Sequence, residues 1–283
     1  MSEDEIILTH ILQCRPIDLV INKPVLTSTQ KEQFENYKQR REAGEPLQYI
    51  LGTCNFMGLE LAVNPEVLVP RPETEQLVDA ALKCFKSGRV LDLGTGSGNI
   101  AIALAKFVPQ CQIISVDTSS QALETARANA RQHSVEDRIQ FIREDMFGLL
   151  ERLYKCHCEE QNDEAIYLKK IATLPMVARN DTLFDLIISN PPYIPTSQLS
   201  TLPHDVQKEP ALALDGGEDG LSFYRIIIKY TPRLLRKGAC LMMEFGDGQA
   251  EDIKKLLEAQ GGFSNIEIIQ DLAGRDRIIK VIK

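Results

Sequence analysis

The chain has 283 residues, 43% of them hydrophobic and 25% charged, a balance that excludes wholesale disorder and low-complexity fibres and leaves room for about two domains. Lys and Arg number 32 against 40 Asp and Glu, for a formal net charge of -8, which counts against a general nucleic-acid binder, because such affinity rests on clustered basic residues. No apolar run reaches the roughly 18–20 residues that span a bilayer, and the opening stretch MSEDEIILTH has no basic segment before an apolar one, so neither a membrane partner nor a secretory signal is expected.

The seven cysteines are scattered and odd in number, which suits a reducing cytoplasm. Cys156-His157-Cys158 is the one close pair. A one-residue gap is tight for zinc, and no second ligand pair stands nearby, so the expectation is no metal and two ordinary thiols on a loop.

In chain order, Glu5 to Cys14 spaces its apolar residues as a short amphipathic helix. Thr27-Ser28-Thr29 offers caps for a polar helix over Gln30 to Glu42, and Gly44 and Pro46 stop it. Cys54 to Phe56 and Leu59 to Val63, around Met57-Gly58, read as a small β-hairpin. Val67-Leu68-Val69-Pro70-Arg71-Pro72-Glu73 is a stiff connector. Thr74 to Lys86 is a helix.

Near residue 88 the character changes. Short apolar runs at Arg89–Leu93, Gln112–Val116, Ile139–Ile142, Phe184–Ile188 and Ala239–Phe245 alternate with helical segments at Ile100–Phe107, Gln121–Gln132, Leu221–Leu235 and Glu251–Gln260. Repeated βα units predict a doubly wound, mainly parallel α/β sheet. Two late runs, Ile266–Ile269 and Arg277–Ile282, bring the strands to seven. They are joined across Ala273-Gly274 by a turn too short for a crossover, so the last strand should run antiparallel. Residues 151–181 break the pattern and read as a surface insertion, partly helical over Glu164 to Ala172, either a tolerated excursion or a lid.

Asp92-Leu93-Gly94-Thr95-Gly96-Ser97-Gly98 leaves the first strand and enters a helix. The glycines permit a tight turn and close ligand approach, and the helix start presents free N–H groups; a purely structural turn is the alternative. Asp117 ends the next strand 19 residues after Gly98, close to the offset at which a carboxylate meets a ribose, or else it caps the following helix. Asp145 and Met146 end the third strand, where they face an adenine amine and ring or serve as a cap and a core residue. The spacing is not that of a dinucleotide fingerprint, and no P-loop lysine follows. An adenosine with an amino-acid tail, its ammonium near Asp92, fits better: S-adenosyl-L-methionine.

Ser189-Asn190-Pro191-Pro192-Tyr193-Ile194-Pro195 follows the fourth strand. Two prolines stiffen the backbone, so that the Asn190 side chain and the Pro191 carbonyl offer two fixed acceptors to a planar NH2, with the Tyr193 ring as a stacking face. The bland alternative is a proline-rich turn. This tetrapeptide marks methyltransferases of planar NH2 nitrogens.

With Arg40 to Gly52, Phe56-Met57-Gly58, Val69 to Glu75, Asp92 to Gly98, Glu209 to Leu221 and Asp271 to Arg277, the chain resembles, over nearly its whole length from Arg40, the bacterial peptide-chain release factor glutamine methyltransferases of the PrmC/HemK type. The resemblance implies a Rossmann-like, seven-stranded class I methyltransferase sheet over 73–283, a helical substrate-recognition domain over 1–50, and a hairpin and linker over 51–72. It implies methylation of the Gln in the Gly-Gly-Gln loop of release factors. Asp92, Gly94, Thr95, Gly96, Ser97, Gly98, Asp117, Asp145, Met146 and Asn190 would contact the donor. Asn190, Pro191, Pro192 and Tyr193 would hold the glutamine, with Phe56 and Arg71 near the peptide entrance. A monomer in the cytoplasm, with release factors as partners and no stable nucleic acid, is implied. The alternatives are a ribosomal-protein glutamine methyltransferase and a DNA or RNA amino-methyltransferase. Two departures from the family stand out: an N-terminal domain short by about one helix, and the insertion beside the adenine pocket. Met146 stands where the family more often has an aromatic ring.

Overall fold

The computed structural model describes residues 1–22, 24–159 and 183–283. The N-terminal part carries α1 (Glu3–Leu12), α2 (Pro16–Asn22), α3 (Ser28–Glu42) and α4 (Leu47–Leu51). Ser2 with Glu5 and Thr27 with Gln30 form reciprocal caps at the starts of α1 and α3, each satisfying two N–H groups that have no helical partner. No α3 side chain is fully buried, and the ion pairs Arg41–Glu3 and Lys38–Asp4 tie it to α1. Sequence reasoning passes over α2, because none of its residues is fully buried and its apolar residues mark no one-sided stripe. In α4, by contrast, Leu47, Tyr49 and Ile50 are buried, and the Tyr49 hydroxyl donates to the Val67 carbonyl at 2.5 Å.

The hairpin comprises β1 (Thr53–Phe56) and β2 (Leu59–Ala62), paired antiparallel. Its two loop residues, Met57 and Gly58, both have positive φ (54° and 75°), the conformation whose twist matches that of the flanking strands. After α5 (Pro72–Cys84) the sheet begins. It contains β3 (Gly88–Leu93), β4 (Cys111–Asp117), β5 (Ile139–Arg143), β6 (Phe184–Ser189), β7 (Leu235–Glu244), β8 (Ser264–Gln270) and β9 (Asp276–Ile282). Their order is β5-β4-β3-β6-β7-β9-β8. Pairs from β5 through β7 are parallel, and β9 is antiparallel to both neighbours, as the short connection requires.

Helices α6 (Asn99–Phe107) and α7 (Ser120–Gln132) join α5 on one face; α8 (Met146–Glu159), α10 (Ser222–Leu234) and α11 (Ala250–Gln260) cover the other, and the one-turn α9 (Ala211–Leu214) precedes α10 in the chain. The pleat of β3 divides the core: Val90 packs with Leu77, Ala101 and Ile113, whereas Leu91 and Leu93 pack with Leu150, Ile227 and Ile253. On the first face the hairpin closes the layer with Phe56 and Leu61.

One expectation is corrected by α8: Cys156 to Cys158 lie on that helix rather than on a loop, and residues 151–159, where the insertion was expected to begin, continue it. Leu149, Leu150 and Leu153 are buried against the side chains of α10, and Tyr154 meets Tyr230 edge-on at 5.3 Å. The acidic and cysteine-rich stretch that follows obscures this stripe in the sequence. The expected helix over Glu164 to Ala172 lies outside the described residues.

Asn129, fully buried on α7, clasps the hairpin to the sheet. Its Oδ1 accepts from the Ala62 N–H (2.7 Å), and its Nδ2 donates to the carbonyls of Ala62 (3.0 Å) and Ser97 (2.9 Å). Asn129→Ala strips three backbone groups of their partner. It should lower the free energy of unfolding by about 2–3 kcal/mol, read from the urea midpoint at unchanged slope. A loss near zero would mean that water replaces the clasp.

Candidate active site

In open α/β sheets the crevice opens where strand order reverses, at the carboxyl ends of the strands. Here that point lies between β3 and β6, and the Ser189 hydroxyl donates to the Leu93 carbonyl across it at 2.7 Å. The glycine turn follows Leu93 and the Asn-Pro-Pro-Tyr turn follows Ser189.

Gly94, Gly96 and Gly98 all have positive φ (77°, 54° and 83°), which other residues adopt only with strain. At Gly98 a Cβ would also lie 2.9 Å from Ile102 Cδ1 and 3.1 Å from Ala126 Cβ, so this glycine serves the approach of α6 to α7. Asp117 holds the turn from the side: its Oδ2 accepts from the Gly96 N–H and its Oδ1 from the Ser119 N–H, both at 2.9 Å. Ser119 in turn caps α7. The cap of α7 is therefore Ser119 and not Asp117, whose carboxylate oxygens each keep a further lone pair toward the cleft.

Beneath the turn lies Asp92, with no exposed surface. The Ser115 hydroxyl is 2.7 Å from its Oδ2 and 2.6 Å from Thr95 Oγ1. Burial pushes the Asp92 carboxyl up to about 6, while hydrogen bonds from Thr95 and Ser115 pull it back. Asp92 Oδ1 and Ser97 Oγ are buried without a hydrogen-bond partner among the described residues. Such atoms are costly unless a ligand completes them.

Above the turn is a cleft of about 290 Å³, at the lower end for small-molecule sites. Gly94, Gly96, Asp117, Asp145, Met146, Asn190 and Pro192 line it, with Leu68, Phe147, Leu212 and Phe223 adding apolar walls. Phe147 and Phe223 lie 5.1 Å apart. A second cavity of about 100 Å³ adjoins it, lined by Arg71, Tyr193 and Ile194 among others; Asn190 belongs to both.

The Asn190 Nδ2 donates to Thr74 Oγ1 at 3.0 Å. The Tyr193 segment is strapped down by the loop after α9: Ile194 N–H donates to the Leu214 carbonyl and Gly216 N–H to that of Ile194. A Cβ at Gly216 would come within 2.8 Å of Tyr193 Cα, and one at Gly220 within 2.3 Å of the Tyr193 carbonyl oxygen. Burial pushes the Tyr193 hydroxyl well above its ordinary value. Arg71 pairs with Glu209, whose Oε2 also accepts from the Val69 N–H at 3.0 Å.

The cleft thus gathers most of the residues singled out from the sequence. Asp92, Thr95 and Ser97 sit buried beside it, and Pro191 is buried next to Asn190. Phe56 is a correction: at 1% exposure it belongs to the core beneath the hairpin, not to a peptide entrance, because its neighbour Met57 takes the turn. Sequence reasoning missed Ser115, Thr74, Asn129 and Glu244. The last carried a signal, a carboxylate within the apolar run Leu241-Met242-Met243. Among the described residues no cluster of His, Cys, Asp and Glu could hold a metal, and no helix is long and apolar enough to cross a membrane.

The residues present fit a ligand with an ammonium and a flat apolar ring: two unpartnered polar atoms lie under a glycine turn, beside walls of Met and Phe.

Comparison with known proteins agrees. A family described as "Methyltransferase domain" matches residues 85–270, and one described as "PrmC N-terminal domain" matches 2–52. The release factor glutamine methyltransferase of Thermodesulfovibrio yellowstonii is 35% identical, over 99% of this chain and 91% of that one. That of Geobacter sulfurreducens is 40% identical, over 85% and 74%. Among solved structures, a methyltransferase from Pyrococcus furiosus aligns with a TM-score of 0.53 at 18% identity, covering 88% of this chain and 98% of that one. It shares the fold.

The Asp92 carboxyl titrates near 6 when folded against an ordinary 3.8. Between those values the folded state binds more protons than the unfolded one, so stability falls as pH rises through that window and the cost is fully present above about 6. Asp92→Asn removes it. In calorimetry without ligand, the variant's melting temperature relative to the parent should climb by roughly 2–6 °C between pH 4.5 and 7.5. A difference independent of pH would contradict the burial of a charged carboxylate.

Proposed function

The chain belongs to the release factor glutamine methyltransferases, and we propose that its two adjoining cavities divide the reaction, the methyl donor occupying the larger and the glutamine side chain the smaller. The protein is an enzyme that methylates glutamine in peptide-chain release factors; the Gln of a Gly-Gly-Gln loop is the substrate proposed. Asn190, the one polar side chain among the three residues that line both cavities, with Leu68 and Ala213, is the observation that carries this reading.

S-adenosyl-L-methionine is the donor proposed, and when bound it supplies an electrophilic methyl group on a sulfonium. Asp92 and Ser97 offer their unpartnered oxygens to its amino-acid end. The N–H groups of Gly94, Thr95, Gly96 and Gly98 are already engaged within the turn, so the Ser97 N–H, just before α6, is the one that favours its carboxylate. Asp117 accepts from the ribose, while Asp145 and Met146 meet the adenine, with Phe147 and Phe223 as added apolar surface. Gly98 and Thr95 act through the shape of the turn.

A carboxamide nitrogen is a poor nucleophile, because its lone pair is shared with the carbonyl. A strong base is not what the site provides. Asn190 has its Nδ2 engaged by Thr74, so its Oδ1 remains to accept one substrate N–H, and the Pro191 carbonyl accepts the other. These two acceptors orient the nitrogen and stabilise the positive charge that grows on it as the new C–N bond forms and the S–CH3 bond breaks; the thioether S-adenosyl-L-homocysteine would leave as product, and the surplus N–H proton would pass to solvent. The Tyr193 ring, fixed by the glycine strap, packs on the carboxamide plane together with buried Pro192. Burial keeps its hydroxyl neutral, so Tyr193 contributes surface rather than a base. Arg71, anchored by Glu209, stands at the wall of the smaller cavity where the peptide enters.

Asn190→Ala should lower kcat on a release factor by about 10²–10³-fold, the usual cost of removing one preorganised polar contact. Donor affinity, measured by calorimetric titration, should change by less than about fivefold, an effect of roughly 1 kcal/mol. Incubation with labelled donor and release factor, ribosomes or nucleic acid separates this reading from the ribosomal-protein and nucleic-acid alternatives. Label on ribosomes or nucleic acid alone would overturn it.

A further inference from the structure

Glu244 ends β7 at 1% exposure, and no step above uses it. Its Oε2 accepts from Thr74 Oγ1 at 2.7 Å. The Thr74 hydroxyl, on α5 and also 1% exposed, accepts from Asn190 Nδ2 at 3.0 Å. The Tyr224 hydroxyl holds the Glu244 main-chain carbonyl at 2.7 Å. Three elements distant in sequence therefore meet in one buried line, carboxylate to hydroxyl to carboxamide.

We propose that Glu244 is a positioning residue which, through the Thr74 hydroxyl, fixes which end of the Asn190 carboxamide faces the substrate. The inference rests on the reading of Asn190 as the acceptor of the substrate N–H. An ionised carboxylate can only accept hydrogen bonds. Thr74 has one hydroxyl proton, and Glu244 takes it. Toward Asn190 the hydroxyl can then only accept, so Asn190 must turn its NH2 to Thr74 and its oxygen to the cleft. Protonated Glu244 lifts the constraint. It can donate to Thr74, Thr74 can donate to Asn190, and the amide can flip, setting its NH2 against the NH2 of the substrate.

The surroundings place this switch near neutrality. Burial pushes the Glu244 carboxyl up to about 7; the Thr74 hydrogen bond opposes this, Glu73 adds to it, and Arg277 and Arg71 pull it down. Tyr193 and Tyr224 face it as neutral hydroxyls, each raised chiefly by burial. The ordered line thus prevails above about pH 7 and is lost as pH falls through it.

The test is steady-state kinetics on a release factor between pH 5.5 and 9. The parent should show an acid limb in kcat near pH 7. Glu244→Gln keeps the shape but can donate or accept, so kcat should drop about 10–100-fold, the range seen when a supporting polar partner is lost. The limb should vanish, and the KM for the donor should stay within about threefold, well under 1 kcal/mol. Thr74→Val should match it, and Thr74→Ser, which keeps the hydroxyl, should restore most of the activity. Parental kcat and an intact acid limb in Glu244→Gln would overturn the proposal. If that variant does not fold, parental kcat in Thr74→Val would do so. Asn190→Ala separates the two levels: should it stay active, the reading of Asn190 fails, whereas if it is inactive while Glu244→Gln and Thr74→Val are unimpaired, only the relay fails.

Discussion

The hydrogen bond from Ser189 to the Leu93 carbonyl joins the last residues of two neighbouring parallel strands. Each is followed at once by a motif, the glycine turn in one case and Asn190 in the other. The central strands are buried on both sides and packed to crystalline density, so neither end can slide without disturbing the other. Methyl transfer tolerates little misplacement, because catalysis by orientation needs the reacting atoms aligned at about 3–3.5 Å, and an error of about 1 Å can cost about 100-fold. The sheet supplies that rigidity, and the two motifs are its exposed ends.

Around this joint the chain adds restraints from far away in sequence. Gly216 and Gly220 let a loop close on the Tyr193 backbone where any side chain would collide. Asp117 holds the glycine turn through backbone N–H groups. Asn129 ties the hairpin to the carbonyl of Ser97, so the segment leading to the N-terminal helices is mechanically continuous with the glycine turn. Glu209 does the same for the connector at Val69 and Arg71. Asn129 and Glu209 each use one buried polar group to satisfy two or more others, which makes them stabilising when complete and damaging to break singly.

The sheet was legible because apolar runs and turns alternate with little ambiguity, and the last strand's direction followed from the length of one turn. The glycine and Asn-Pro-Pro-Tyr turns were legible because their residue types have few other uses. What escaped has a common cause. Thr74, Asn129 and Glu244 act through partners more than 30 positions away, and no local period encodes such a meeting. Phe56 failed for the opposite reason: a resemblance places a residue near a site but does not say on which side of a two-stranded ribbon its ring lies. In α8 the buried stripe of Leu149, Leu150 and Leu153 was masked by the polar sequence that continues it.

That helix also settles where the chain can grow. Met146 borders the cleft, and 14 residues at about 1.5 Å each carry the backbone some 21 Å away before Glu159. The chain returns at Leu183, at the start of β6, whose opposite end bears Asn190. The two described ends, Glu159 and Leu183, thus stand off from the end of β6 that bears Asn190. A fusion partner spliced in between them would join the chain at points remote from the reacting groups.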